Sequence, residues 1–290
     1  TGGVLAPLFG MESAQQMPLL EPPKVTQEDT NGGLQKVSKS VKRAMSKFSS
    51  RQMSFRPTMN MLISAEQGFL EDIAGIENVE KLVMHSELRE SAQAANDNLR
   101  RELEQLQDLW MHLSALGTPF RNFFSLPDQW KNSRIGYTGS WANMQTSKIA
   151  RFLVAPVGWE SEVVVDGSAP NKNQTSLDNF KLRVMEALGA KTDSQSDDVS
   201  LANWDKMTND LDTAKHIVDA VAALRPVVAL PVEQQKLSKE AQATIANAVL
   251  KSKTKLHGFE ALVALAQYEN AKAAGESSFK ASVTSEVDGK

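Results

Sequence analysis

The chain of 290 residues has no cysteine, which excludes a disulfide framework, thiolate metal sites and cysteine catalysis. It also lacks any apolar run of roughly 18 residues, the length that a membrane-spanning helix needs. Residues 1–9 have no basic stretch of the kind that opens a secretory signal. We therefore expect neither secretion nor a membrane span.

The sequence has none of the short motifs that carry familiar chemistry. It has no His-Glu-x-x-His pair, no phosphate-binding Walker loop, no glycine-rich dinucleotide turn and no calcium-loop spacing. The four histidines, at positions 85, 112, 216 and 257, lie far apart along the chain. We predict no catalytic residue, metal, cofactor or small-molecule substrate, and we interpret the chain as not an enzyme. The remaining enzymatic alternative is a pocket of convergent titratable groups beside the aromatic residues.

The composition favours helix. Alanine, leucine, glutamine, glutamate and lysine dominate, whereas aromatic residues reach only 6%. We predict a mainly α fold, a helical bundle with one long helix and a small aromatic-rich irregular or β insert. The predicted regions are an extended leader (1–33), a basic amphipathic arm (34–57), a mainly helical body (58–274) containing the insert (118–170), and a polar, frayed tail (275–290).

Apolar spacing and capping residues predict the helices of the body. A long stripe between Glu77 and Leu116 indicates either one helix or two helices that break near Ser91 or Asn96. Four further helices are predicted: one capped by Thr175 and ended by Gly189, one from about Ser200 to Leu224 that stops at Arg225-Pro226, and two near Ser238–Leu250 and Leu256–Ala273.

The aromatic residues are concentrated in the insert, and their role there has two interpretations. Short strands are predicted at Phe152–Ala155 and Glu162–Val165, as the only β structure. In the first interpretation the tryptophans at positions 130, 141 and 159 fill a core between the helices and a small sheet. In the second, exposed aromatic rings stack single-stranded bases beside the basic residues Arg121, Lys131, Arg134, Lys148 and Arg151.

Positive charge is concentrated near the start of the chain. Eight basic residues between Lys24 and Arg56 face only Glu28 and Asp29, a local charge of about +6 in a chain of net charge -3. A helical apolar face is formed by residues 34, 37, 41, 45 and 48, with lysines and arginine around it. Three interpretations are open: a helix packed on the core with solvated lysines, an arm that contacts an anion, or a helix on a membrane surface.

The anion-contacting interpretation predicts non-specific nucleic-acid binding, because lysine and arginine neutralise backbone phosphates whatever the base sequence. The predicted contact residues are Lys36, Lys39, Lys42, Arg43, Lys47, Arg51 and Arg56.

Four passages between Leu106 and Thr208 resemble the internal head, or inner body, proteins of phiKZ-like giant tailed bacteriophages. They are Leu-Trp-Met-His-Leu (109–113), Thr-Pro-Phe-Arg-Asn-Phe-Phe (118–124), Gly-Tyr-Thr-Gly-Ser-Trp-Ala-Asn (136–143) and Thr-Ser-Leu-Asp-Asn-Phe-Lys (175–181). The resemblance implies packaging inside the capsid after assembly in the host cytoplasm, and proteolytic trimming after a glutamate, for which Gly10-Met11-Glu12 qualifies.

Together these observations predict a non-enzymatic structural virion protein inside a phage head. Its basic arm would contact packaged double-stranded DNA, other virion proteins or both. The alternative is an assembly module that forms homo-oligomers through the 77–116 helix and has no direct DNA role.

Overall fold

A computed structural model describes residues 39–79, 86–115, 122–125, 127–129, 135–137, 144–145, 147–167, 175–190, 196–212 and 214–283. The mainly α class is confirmed: these residues form eleven α-helices and six short strands. The helices are α1 (Lys39–Ser49), α2 (Pro57–Ile63), α3 (Gln67–Ala74), α4 (Ser86–Ala115), α5 (Ala150–Leu153), α6 (Ser176–Ala187), α7 (Asp197–Leu201), α8 (Trp204–Thr208), α9 (Lys215–Val228), α10 (Lys239–Ala248) and α11 (Lys255–Ala274).

The strands form three antiparallel pairs. Strand β1 (Met53–Phe55) pairs with β4 (Val154–Pro156), β2 (Pro127–Gln129) with β3 (Ile135–Tyr137), and β5 (Ser161–Val164) with β6 (Ser278–Ala281). The chain divides into two compact units. The first comprises Thr1–Arg56 and Asp97–Gly158, and the second comprises Pro57–Asn96 and Trp159–Lys290.

The core of the first unit forms around β1, which is hydrogen-bonded to another segment on each side. Met53 exchanges backbone hydrogen bonds with Phe123, at 2.8 and 2.9 Å. On the other side β1 pairs with β4 in the register Met53↔Pro156 and Phe55↔Val154. The rings of Phe55 and Phe123 lie 5.8 Å apart. Leu106 and Leu109, in the second half of α4, are also buried apolar side chains of the first unit.

The second unit is organised around α11. Every residue from Leu256 to Ala266 is buried, including the polar side chains of His257 and Glu260. Helices α9, α10 and α6 pack against it. An aromatic cluster lies at its far end, where Phe180, Tyr268 and Phe279 have ring centroids 5.4 to 5.9 Å apart. None of the helices in the described residues is long and apolar enough to cross a bilayer.

The predicted start of α6 is confirmed. The Thr175 side chain accepts a hydrogen bond from the Asp178 backbone N–H, and the Asp178 carboxylate accepts one from the Thr175 backbone N–H. The Thr175 hydroxyl also donates to the Asp178 carboxylate at 2.7 Å, and this bond, together with the one from the Thr175 backbone N–H, lowers the pKa of Asp178. Gly189 ends the helix as predicted, in a left-handed conformation with φ of 96°.

The long helix differs from its predicted extent. Helix α4 begins at Ser86, not at Glu77, and runs without a break through Ser91 and Asn96. The Asn96 side chain binds both backbone groups of Glu77, donating to its carbonyl at 2.7 Å and accepting from its N–H at 3.1 Å. The predicted apolar stripe is also only partly buried, because Leu88 is 58% exposed whereas Leu106 and Leu113 are buried.

The single helix predicted between Ser200 and Leu224 is wrong. Helices α7, α8 and the first part of α9 occupy this region. The Asp210 carboxylate accepts a hydrogen bond from the Asp212 backbone N–H at 2.8 Å, a local bond that competes with helix. The predicted stop at Pro226 is also wrong, because α9 continues to Val228. Proline removes one bond to the carbonyl of Ala222, which is exposed and accessible to water.

The predicted β structure was incomplete. Strands β4 and β5 lie within one or two residues of the predicted positions, but β1, β2, β3 and β6 were not predicted. The tail, expected to be frayed from Gly275, contains β6, which pairs Val164 with Ser278 and Ser161 with Ala281.

We predict opposite stability effects for two glycine substitutions in the second unit. Gly258 lies in the buried part of α11, where an added Cβ would overlap the Ser252 Oγ. Gly258→Ala is therefore expected to lower the free energy of unfolding by about 1–3 kcal/mol. Gly68 in α3 has no atom within 4 Å of an added Cβ. Gly68→Ala is expected to raise that free energy by about 0.5–1 kcal/mol, through helix propensity.

Urea unfolding monitored by circular dichroism measures the free energy of unfolding of both variants. Equal changes of that free energy in the same direction would contradict this account.

Candidate nucleic-acid interface

Helix α1 is fixed to the first unit by its apolar side. The Met45 side chain is fully buried, at 0% exposure, and Ser49 one turn later is also buried. The Phe48 ring lies against Tyr137 of β3, with centroids 5.0 Å apart. The amphipathic spacing predicted from the sequence therefore describes a helix that is docked on the protein by one face.

The cations of α1 occupy the opposite face. At 100° per residue, Lys42, Lys39, Arg43 and Lys47 span an arc of roughly 140° whose centre points away from Met45. Lys39, Arg43 and Lys47 are exposed, and Lys42 is half-buried. We call these four side chains the basic surface. It extends about 12 Å along the helix axis, at 1.5 Å per residue.

The charge pattern of α1 opposes helix stability. The helix contains no acidic residue. Lys39 with Arg43, and Arg43 with Lys47, are like-charged pairs four residues apart, and each such pair costs about 0.2–0.5 kcal/mol. A phosphate bound here would relieve this repulsion.

Acidic partners do not neutralise this surface within the described part of the chain. None of the ion pairs between described residues involves the basic surface or Arg51. Arg51 is exposed just beyond the end of α1. Burial raises the pKa of Tyr137, and the positive charge of Arg51 partly opposes that rise. The charge of Arg51 thus acts at the ring on which α1 docks.

The seven predicted contact residues do not all reach one surface. Lys36 lies outside the described residues. Arg56 is only 6% exposed, and its backbone N–H donates to the Leu153 carbonyl at 2.7 Å. Arg56 is therefore a buried residue of the first unit. Four of the other predicted residues, Lys39, Lys42, Arg43 and Lys47, lie together on α1, and Arg51 lies beyond the end of that helix.

The aromatic insert is only partly described. Trp130 and Trp141 lie outside the described residues, as do the neighbouring cations at positions 121, 131 and 134. Trp159, which the core interpretation places in the interior, is 50% exposed. Lys148 is exposed and Arg151 is half-buried.

The titratable residues of the described segments form no recognisable metal centre. No group of three or more histidine or acidic side chains among them is arranged to hold an ion. His257 is buried in α11, His216 is exposed, and His112 contacts the Asp108 carbonyl at 2.7 Å. His85 and the Gly10-Met11-Glu12 motif lie outside the described residues.

Comparison with known families gives one match. Residues 40–154 match the model of a family described as "Virion DNA-directed RNA polymerase domain". No curated protein and no solved structure matches the chain.

The match indicates a family of phage virion proteins. This agrees with the coarser part of the resemblance noted in the sequence, a phage virion protein, and does not identify the inner body. The matched stretch contains β1, the first residue of β4 and most of α1, including Lys42, Arg43 and Lys47.

The docking of α1 predicts unequal effects for two methionines of the first unit. Met45→Ala removes a fully buried side chain and is expected to lower the free energy of unfolding by about 2–5 kcal/mol. Met111→Ala, on a side chain that is 51% exposed, is expected to change it by at most about 0.5 kcal/mol. Urea unfolding of the two variants measures the difference. Equal effects would show that Met45 does not hold α1 to the unit.

Proposed function

We propose that this chain is a non-enzymatic virion protein that contacts double-stranded DNA without sequence preference through the basic surface of α1. The observation that carries the proposal is the exposure of cations on one face of a helix whose other face is docked by Met45 and Phe48. A solvated lysine face alone does not account for like-charged pairs that weaken the helix.

The physics of the contact is counterion release. Duplex DNA carries about one negative charge per 1.7 Å of its axis, so a surface about 12 Å long faces several phosphates. Each lysine or arginine that neutralises a phosphate releases condensed counterions, which makes the affinity strongly dependent on salt. Because the helix is already docked, binding orders only the side chains of the cations, and the entropic cost is limited to them.

A position inside the phage head, among other virion proteins and after assembly in the host cytoplasm, is part of this proposal. The family description supports a virion protein, and the sequence resemblance supports the inner body in particular. Dense packaged DNA would supply the high local concentration at which weak, sequence-independent contacts are occupied. Trimming at Gly10-Met11-Glu12 belongs to the same proposal.

A second candidate follows from the family description itself. The segment would be a nucleic-acid-contacting domain of a virion-packaged RNA polymerase whose catalytic residues lie elsewhere. The two candidates share the basic surface and differ in the polypeptide that carries it. Peptide mapping of gel-separated virion proteins distinguishes them, since a polymerase domain would migrate together with polymerase peptides.

The DNA contact predicts a specific change in salt dependence. Replacing Lys39, Lys42, Arg43 and Lys47 together by glutamine removes four cations from α1. The slope of the logarithm of affinity against the logarithm of salt concentration is expected to become shallower by about 3–4. Fluorescence anisotropy of a labelled duplex, titrated with the full chain at several salt concentrations, measures this slope.

A matched control changes the net charge equally at another place. Lys236, Lys251, Lys253 and Lys280 are exposed lysines of the second unit, and their glutamine variant is expected to keep the parent slope. If the control loses as much affinity as the α1 variant, binding follows net charge and the proposal is wrong. An unchanged slope in the α1 variant would also reject it.

A further inference from the structure

An open cavity of about 490 Å³ lies in the second unit. One side of it is formed by Trp159 and β5, and the other by α6 and the residues that follow β6. This volume is in the range of sites that bind small ligands.

Trp159 gives the cavity an aromatic wall. Of the aromatic side chains that the structure describes, Trp159 alone is half exposed, at 50%. It follows Gly158, whose φ of 77° turns the chain just before β5. Phe180, which also lines the cavity, is buried in the aromatic cluster at 4% exposure. The indole therefore lies at the edge of a packed aromatic core, with much of its surface available.

Polar groups line the same cavity. Asn179 and Arg183 lie four residues apart on α6, and thus on one face of that helix. Arg183 is exposed, and no ion pair between described residues involves it. The Asn179 Nδ2 donates to the Thr175 carbonyl at 3.2 Å, which leaves its Oδ1 as an acceptor. Glu162 accepts from the Ser278 hydroxyl at 2.8 Å through one carboxylate oxygen.

We propose that this cavity binds a nucleobase with its attached phosphate. The base stacks on the Trp159 indole, because every base has a flat π-face. The Arg183 guanidinium binds the phosphate, for which its fork of donors is suited. The Asn179 amide and the Glu162 carboxylate accept hydrogen bonds from amino groups at the base edge. An aliphatic peptide side chain would pack against the indole, but it would offer no hydrogen-bond or charge partner to these polar groups.

The same chemistry is offered by a free nucleotide and by one residue of a single strand. This site is independent of the basic surface, which contacts a duplex through phosphates alone. The two proposals can therefore fail separately.

The test follows tryptophan fluorescence of the full chain during titration with a short oligodeoxycytidylate and, separately, with deoxycytidine monophosphate, because cytosine carries an amino group at its edge. Binding is expected to quench the fluorescence. Trp159→Ala is expected to abolish the quenched component and to weaken oligodeoxycytidylate binding about tenfold, the loss of one stacking contact. Trp159→Phe keeps a ring and is expected to retain most of the affinity. Arg183→Gln is expected to weaken binding and reduce its salt dependence.

Control variants keep the test specific. Leu250→Ala removes another exposed apolar side chain, 64% exposed, and Lys251→Gln removes another exposed cation of the second unit. Both variants are expected to bind as the parent does, and the glutamine variant of the basic surface is also expected to do so.

Equal binding of nucleotide and oligomer identifies a free nucleotide as the ligand, whereas binding of the oligomer alone identifies a single strand. Absence of quenching by either ligand, or unchanged binding by Trp159→Ala with a normal circular dichroism spectrum, would overturn the proposal.

Discussion

The docking of α1 through Met45 and Phe48 is the interaction on which the functional account depends. It converts a short, strongly basic segment into a surface whose orientation is fixed relative to the first unit. Without that docking, the like-charged pairs of α1 would favour an unfolded segment, because an isolated helix of eleven residues is marginal even with a better charge pattern. Burial of apolar side chains thus supplies the free energy that holds the cations together on one face.

The two units present different kinds of surface. The first offers cations on a docked helix, suited to the regular phosphates of a duplex. The second surrounds a nearly fully buried helix and offers a cavity with an exposed indole and a single arginine. The family match to residues 40–154 covers most of the described first unit and ends before Trp159, so the similarity to virion proteins concerns the basic surface rather than the cavity.

Features set by neighbouring residues were predictable from the sequence. The amphipathic spacing of α1, the capping box at Thr175 and the glycine stop at Gly189 depend on contacts within a few residues, and the structure contains all three. Features that depend on partners far away along the chain were not predictable from the sequence. Strand β6 acquires its partner from β5, more than a hundred residues earlier, and its own sequence has no distinctive alternation. Leu88 fits the apolar spacing of α4 yet is exposed, because spacing shows which face is apolar and not whether anything covers it.

The central claim is that the basic surface touches DNA within the particle. Formaldehyde cross-linking of intact virions, followed by mass spectrometry of peptide–nucleotide adducts, tests it most directly. The account predicts adducts at Lys39, Lys42 and Lys47, and few at the exposed lysines of the second unit such as Lys236 and Lys251. Adducts spread evenly over the exposed lysines, or absent from α1 while present elsewhere in the chain, would contradict it.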